Sequence, residues 1–466
     1  MPRFGKSSGG SGMQSEWRAV RLGDHCIKIG SGATPKGGKE SYLETGPYSL
    51  IRSQNVYNDG FSWQGLAYIS DEQAKKLEGV AVEKNDVLVN ITGDSVARVC
   101  NAPSAVLPAR VNQHVAIVRP HPESFDSDYL RWYLCLPEQQ EKLLGLASAG
   151  ATRNALTKAM LEGLLIPQPP IDVQKSMAAL PVAISQRIDL LRQTNSTLES
   201  IAQALFKSWF IDFDPVRAKA EGREPEGMDA ETAALFPDSF ENSTLGEIPK
   251  AWRVAKLGEY LTELFTGRRP KGGVAGILEG VPSIGAESIN GLGIFDLSKL
   301  KYVPRDFFDA MRSGKPQDFD VLLYKDGGKP GHFMPRLGMF GKGFPFTEYA
   351  INEHVFGLRA QASLGQPFLY FWMLREATLD RLRGLGNKAA IPGINRGDVE
   401  GLPLLVPSEQ LATRFSACTL PIIEKILENA KTAATLSKLR DTLLPRLISG
   451  KLRVPEAEAK LNEALA

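Results

Sequence analysis

The chain repeats itself, and this limits what it can fold into more than any other feature. Trp17-Arg18-Ala19-Val20-Arg21-Leu22-Gly23-Asp24 returns 235 residues later as Trp252-Arg253-Val254-Ala255-Lys256-Leu257-Gly258-Glu259. Ser31-Gly32-Ala33-Thr34-Pro35-Lys36-Gly37-Gly38 returns at the same offset as Thr266-Gly267-Arg268-Arg269-Pro270-Lys271-Gly272-Gly273. Asp86-Val87-Leu88-Val89 answers Asp320-Val321-Leu322-Leu323, and Val111-Asn112-Gln113-His114-Val115 answers Ile351-Asn352-Glu353-His354-Val355. Tyr129–Leu134 loosely matches Phe368–Leu374, and Glu162-Gly163-Leu164 matches Glu400-Gly401-Leu402. Loop insertions account for the small drift in offset, so two copies of one plan are expected.

Each copy has two parts. The first, 13–167 and 247–406, mixes short apolar runs such as Asp86–Asn90 and His114–Val118 with Gly/Pro/Asn-rich turns. That pattern predicts a compact α+β domain. The second part is helical. Ile184, Ile188, Leu191, Asn195, Leu198, Ala202, Leu205 and Trp209 keep a 4,3 heptad spacing, as do Ile422, Ile426, Asn429, Ala433, Leu436, Arg440, Leu443 and Leu447. A mostly apolar 3.5-residue repeat needs a partner helix, and the other copy is the obvious one. Asn at such a seam fixes register, whereas Arg440 is expected at its edge. A generic helical core is the alternative. Helix one is expected to end before Asp214-Pro215 and helix two at Gly450. The resulting division is 1–12, similar to an expression tag with a flexible linker; 13–167, a globular domain; 168–213, a helix; 214–246, an acidic connector; 247–406, a second globular domain; 407–450, a second helix; and 451–466, a tail.

Charge supports a polyanionic partner only once it is divided along the chain. Asp212 to Glu247 holds ten acidic and three basic residues, so a chain of formal charge +2 carries +9 on the remainder. A basic body with one acidic connector suits nucleic acid, and equally suits an ordinary charged surface. Cys26, Cys100, Cys135 and Cys418 are scattered, with no Cys-x-x-Cys pair, so neither a disulfide framework nor a zinc site is expected. No apolar run is long enough to span a bilayer, and no signal peptide is visible.

The stretch Leu205-Phe206-Lys207-Ser208-Trp209-Phe210-Ile211-Asp212-Phe213-Asp214-Pro215-Val216-Arg217-Ala218-Lys219 continues through Phe236-Pro237-Asp238-Ser239-Phe240 to Leu245-Gly246-Glu247-Ile248-Pro249. With Leu443-Leu444-Pro445-Arg446-Leu447-Ile448-Ser449-Gly450-Lys451-Leu452, it resembles the specificity subunits of type I restriction–modification enzymes over essentially the whole chain after Met13. That resemblance implies an α+β architecture of two globular target-recognition domains related by an internal repeat and separated by two long antiparallel coiled-coil helices. Each domain is expected to read one half of a bipartite, non-palindromic site in double-stranded DNA. The implied partners are two methyltransferase subunits and two motor–nuclease subunits in a bacterial or archaeal cytoplasm. A helix from about Gln174 to Phe210 would be ~55 Å long, more than one DNA turn of about 34 Å, so the helices are expected to set the spacer between half-sites.

Catalysis is not expected in this chain. A fused adenine methyltransferase would need an Asn/Asp-Pro-Pro-Tyr/Phe loop and a glycine turn for S-adenosylmethionine. Pro169-Pro170 lacks the flanking residues, and Phe340-Gly341-Lys342-Gly343 has the wrong spacing. No Gly-x-x-x-x-Gly-Lys-Ser/Thr run exists; Gly5-Lys6-Ser7 lacks the upstream glycine. No cofactor is expected here, with S-adenosylmethionine, ATP and Mg assigned to partner subunits. The alternatives are a recognition part of a fused adenine methyltransferase and a coiled-coil scaffold that binds no DNA.

Base edges are read by Arg, Lys, Asn and Gln, and phosphates by Lys, Arg, hydroxyls and backbone amides. The shared Pro-Lys-Gly-Gly loops make Lys36 and Lys271 candidates for backbone contact, or simply parts of a repeated turn. Residues that differ between copies are better candidates for specificity. In the first copy these are Arg52, Gln54 and Asn55 beside Ser53, then Arg110, Asn112 and Gln113, then Thr152, Arg153 and Asn154. In the second they are Arg268, Arg269, Lys325, Lys329, Lys388, Asn395 and Arg396. The matched His114 and His354 are expected to be hydrogen-bonded histidines at a strand start rather than an active-site pair. Trp17 and Trp252 are assigned to packing.

Overall fold

The computed structural model describes residues 17–148, 154–327, 331–387 and 392–465. It divides into two compact units: residues up to Asp189 together with Thr435–Ala466, and Leu190–Ala434. Two helices of 40 residues each, Ile171–Phe210 and Glu409–Ile448, are divided between them.

In the first unit, one antiparallel sheet runs in the order Cys26–Ser31, Val115–Pro120, Val87–Asn90, Val99–Asn101. Its two central strands are buried on both faces, as their unbroken Val/Ile/Leu runs require. Alternate residues supply different cores. Val87, Val89, Ala116 and Val118 pack with Tyr129, Leu130 and Trp132 of the helix Ser127–Leu134. Leu88, Val115 and Ile117 face a second cluster with Ile51, Val56 and Val111. A second sheet places Tyr48–Ile51 parallel to Ala109–Val111 and between it and Ala67–Ile69. The strand Ala19–Arg21 closes the domain against Leu165–Pro167, and Trp17 packs at its edge.

The second unit uses the same element order. Leu261–Thr266, Val355–Ala360, Val321–Tyr324 and Leu337–Met339 form the antiparallel sheet, extended by Gly291–Leu292. Val281–Ile284 lies parallel to Ala350–Ile351, and Arg253–Lys256 pairs with Pro403–Val406. In each unit one buried aspartate anchors a sheet arginine through two hydrogen bonds. Arg119 donates from Nε and Nη2 to Asp86 at 2.7 and 2.8 Å. Arg359 does the same to Asp320 at 3.0 and 2.6 Å. Such forked pairs fix both distance and orientation.

Heptad positions of the long helices are buried or half-buried in both units. In the first, Ile184, Ile188, Leu443 and Leu447 are buried, and Met177 shares a core with Leu444 and Ile448. Arg440 corrects its expected edge position. It is buried, donates to Asp441 at 2.8 Å and to Ser185 at 3.2 Å, and lies over the Trp132 ring. The neighbouring hydroxyl, carboxylate and indole supply what water would have supplied. In the second unit Asn429 Nδ2 donates to Asn195 Oδ1, and Asn195 Nδ2 to the Ile426 carbonyl, both at 2.9 Å.

Helix one ends at Phe210, and Phe213 takes a left-handed φ of 58° ahead of Asp214-Pro215. Helix two ends at Ile448, with Gly450 at φ 71°. The acidic connector is folded rather than loose. It forms the helices Asp214–Ala220 and Ala230–Ala234 and the hairpin Phe240–Ser243/Gly246–Pro249. Val216, Phe236 and Ile248 are buried with Trp209, Phe210, Trp252 and Phe415. The Trp209 and Phe236 rings meet edge-on at 5.2 Å, which gives the Lys-Ser-Trp-Phe-Ile-Asp-Phe-Asp-Pro run its packing role. The tail forms a helix, Val454–Leu465.

Candidate nucleic-acid interface

The same three segments converge in each unit. In the first, the chain leaving Cys26–Ser31 meets the loop before Val115, because Gly32 leaves no space between them. A Cβ at Gly32 would lie 2.0 Å from the Val111 carbonyl oxygen. Gly32 N–H donates to the Val115 carbonyl at 3.0 Å, and Ala33 N–H to that of Val111 at 3.2 Å. The segment at Asn154–Leu156 joins them: Ala155 bridges Thr92, and Leu156 N–H donates to Ile91 at 2.8 Å. In the second unit a Cβ at Gly267 would lie 1.5 Å from the Ile351 carbonyl oxygen. Gly393 bridges Asp326, and Ile394 N–H donates to Lys325 at 2.9 Å.

This framework holds a polar network at the surface of the first unit. Thr34 Oγ1 donates to Gln113 Oε1. Gln113 Nε2 lies 2.9 Å from His114 Nε2, and His114 Nδ1 lies 2.5 Å from Thr92 Oγ1. An amide nitrogen has only hydrogens to give, so His114 Nε2 accepts and Nδ1–H donates to Thr92. In the second unit, Arg269 Nε donates to Glu353 Oε1 and its Nη2 lies 2.7 Å from His354 Nε2. His354 Nδ1 donates to Asp326 Oδ1. Lys325 Nζ reaches the Glu353 carbonyl at 3.3 Å and Asp326 Oδ2 at 3.6 Å. The hydrogen bond to Glu353 holds the Arg269 guanidinium above its ordinary range. Partial burial pushes the Glu353 carboxyl up, but Arg269 outweighs it and holds that carboxyl below the usual range. The pair therefore remains ionised. Both histidines are hydrogen-bonded residues directly before a strand, as expected.

Several candidates are placed where DNA could reach them. Lys36 and Lys271 are exposed on turns whose glycines have positive φ: 99° and 60° at Gly37 and Gly38, 95° and 84° at Gly272 and Gly273. Gln113, Arg268, Arg269 and Asn154 are exposed, and Lys325 is half-buried. Arg52 and Gln54 both donate to the Gly65 carbonyl, and Arg52 lies over the Tyr42 ring.

Others are corrected. Arg110 is buried; its guanidinium is occupied by the carbonyls of Ala74 and Ala109 and by Glu78. Asn55 is fully buried, accepting from Arg52 N–H at 3.0 Å and donating to the Ser62 carbonyl at 2.9 Å. Asn112 is buried, and its Oδ1 caps the turn by accepting from His114 N–H at 3.1 Å. These three shape loops from beneath rather than touch a groove. Asn395 is the N-cap of the helix Arg396–Glu400, and Arg396 is occupied by Glu400 and the Leu264 carbonyl. Thr152, Arg153, Lys329 and Lys388 lie outside the described residues.

Reading by residue type alone missed Thr34, Thr92, Asp326 and Glu353. The repeat alignment held the signal, since Thr34 answers Arg269 and Gln113 answers Glu353. Among the described residues no group of His, Cys, Asp and Glu could hold a metal ion. Nor is any helix among them long and apolar enough to cross a membrane.

Residues 14–200 match the family described as type I restriction modification DNA specificity domain. The chain is 25% identical to the type I restriction enzyme MjaIX specificity subunit of Methanocaldococcus jannaschii, covering 95% of this chain and 94% of that protein. It is 24% identical to the HindI specificity subunit of Haemophilus influenzae, covering 94% of this chain and 100% of that one. The fold is shared with the crystal structure of a type I restriction–modification S subunit from M. genitalium, at TM-score 0.53 and 16% identity, covering 93% of this chain and 96% of that one.

Proposed function

We propose, from the premise that this chain carries the DNA specificity domain of type I restriction–modification systems, that it is the non-catalytic subunit that reads the target sequence. Its two units are copies of one target-recognition domain, and each reads one half of a bipartite, non-palindromic site. The paired long helices form a coiled-coil seam and dock partner subunits. Methyltransferase subunits, two per chain, bring S-adenosylmethionine chemistry to the site. Two motor–nuclease subunits bring ATP and Mg.

One observation carries this reading. The two units build corresponding surfaces on a shared glycine contact and a shared loop bridge, and fill them with different side chains, Thr34/Gln113 against Arg269/Glu353. A shared scaffold with different polar groups is what two different half-sites require, because phosphate contacts position while base contacts specify. A scaffold without a ligand would have no use for that difference.

The test is single-molecule methylome sequencing of a host expressing this chain with its methyltransferase partners. A split methylated motif is expected, present only when this chain is expressed. Methylation with no such motif, or with one that survives deletion of this chain, would overturn the reading.

A further inference from the structure

We infer that Gln113 and Arg269 are matched base readers at corresponding steps of the two half-sites, with adenine read by the first unit and guanine by the second. This rests on the reading above, that these surfaces face DNA.

The inference comes from the hydrogen-bonding capacity each network leaves open. Gln113 Oε1 already accepts from Thr34, and Nε2 already donates to His114. An amide oxygen has two lone pairs and an amide nitrogen two hydrogens, so one acceptor and one donor remain on an exposed group. Among the bases, adenine offers the complementary pair in the major groove, N7 as acceptor and the N6 amino group as donor. The two contacts within the protein also tether the amide, so less side-chain freedom is lost when it meets DNA.

Arg269 leaves a different remainder. Nε and Nη2 serve Glu353 and His354, while Nη1 has no hydrogen-bond partner among the described residues. A guanidinium has only donors, so the open edge presents hydrogens alone. Guanine is the base whose major-groove edge offers two adjacent acceptors, N7 and O6. The anchoring also limits the side-chain entropy that binding would otherwise cost.

Both residues stand on equivalent supports. A matched histidine holds each network from below, through Thr92 in one unit and Asp326 in the other. Glycine packing at Gly32 and Gly267 sets the distance between the loops. The polar groups therefore differ on matched supports, and the side chains can be exchanged between them.

The experiment uses the full chain with its methyltransferase partners and a pool of randomised DNA duplexes, sequencing what the complex retains. The T34R/Q113E variant gives the first unit the second unit's side chains. Preference at one position of one half-site should move from adenine to guanine, by on the order of tenfold to a hundredfold, with the other half-site unchanged. R269T/E353Q should produce the reverse exchange in the other half-site. Q113A should lose the adenine preference alone, and an unchanged melting curve will show the fold intact. Unchanged preferences in a complex that still selects the wild-type site would overturn this inference and leave the DNA-reading function standing. A wild-type complex that enriches no sequence would overturn both.

Discussion

The two polar networks show how one framework carries two different sets of polar groups. In the first unit the chain Thr34–Gln113–His114–Thr92 contains no carboxylate, lysine or arginine. In the second the equivalent chain runs Glu353–Arg269–His354–Asp326, carrying one cation and two carboxylates with Lys325 alongside. The loop bridge, the glycine and the histidine are held constant. What changes is the set of donors and acceptors facing outward. The frameworks beneath correspond, down to the buried Asp86–Arg119 and Asp320–Arg359 pairs.

The strongest challenge to this comparison is replacement of 13–167 by the equivalent segment of a type I specificity subunit. One half of the methylated motif should change completely and the other should persist, as read by methylome sequencing. A change in both halves would mean that the units do not act independently.

Asp86→Ala and Asp320→Ala test whether the frameworks are equivalent. Removing one side of a buried pair costs about 3–5 kcal/mol. Arg119 and Arg359 keep some solvent contact, which places the expected loss near the lower end. Chemical denaturation should give similar losses for the two variants. A clear inequality would show that only one unit depends on its pair.

The helix seam separates the units more finely. Asn195→Leu alone leaves the Asn429 amide short of a partner and should cost about 1–3 kcal/mol. Adding Asn429→Leu should recover most of that, since two apolar groups replace both partners. A double variant no more stable than the single would show that the asparagines contribute little to each other.

Smallest is the effect of the glycine-turn lysines. Lys36→Ala and Lys271→Ala should each reduce the slope of log affinity against log salt by about 0.9 without altering the motif. A changed motif would show that these lysines read bases.

The sequence could be read well where the physics is local or periodic. Helix ends at Asp214-Pro215 and Gly450 follow from residue chemistry at the terminus. Strands such as Val87–Asn90 follow from an apolar run bounded by turn residues. Candidate contacts were less legible. Arg110, Asn55 and Asn112 have the right composition for DNA readers, yet folding occupies them: Arg110 with the Ala74 carbonyl 36 residues away and with Glu78, and the two asparagines with backbone groups of their own turns. Arg440 misled in the same way, because Ser185 meets it from the other helix.

What the sequence determined by itself was the duplicated plan, the helix periodicity and the absence of recognisable catalytic motifs, since repeats, heptads and motifs are properties of order along a chain. Only the tertiary structure decided which polar side chains remain free. Hydrogen-bonding capacity is finite, and whether Gln113 or Arg110 has any left depends on the groups that folding brings against it.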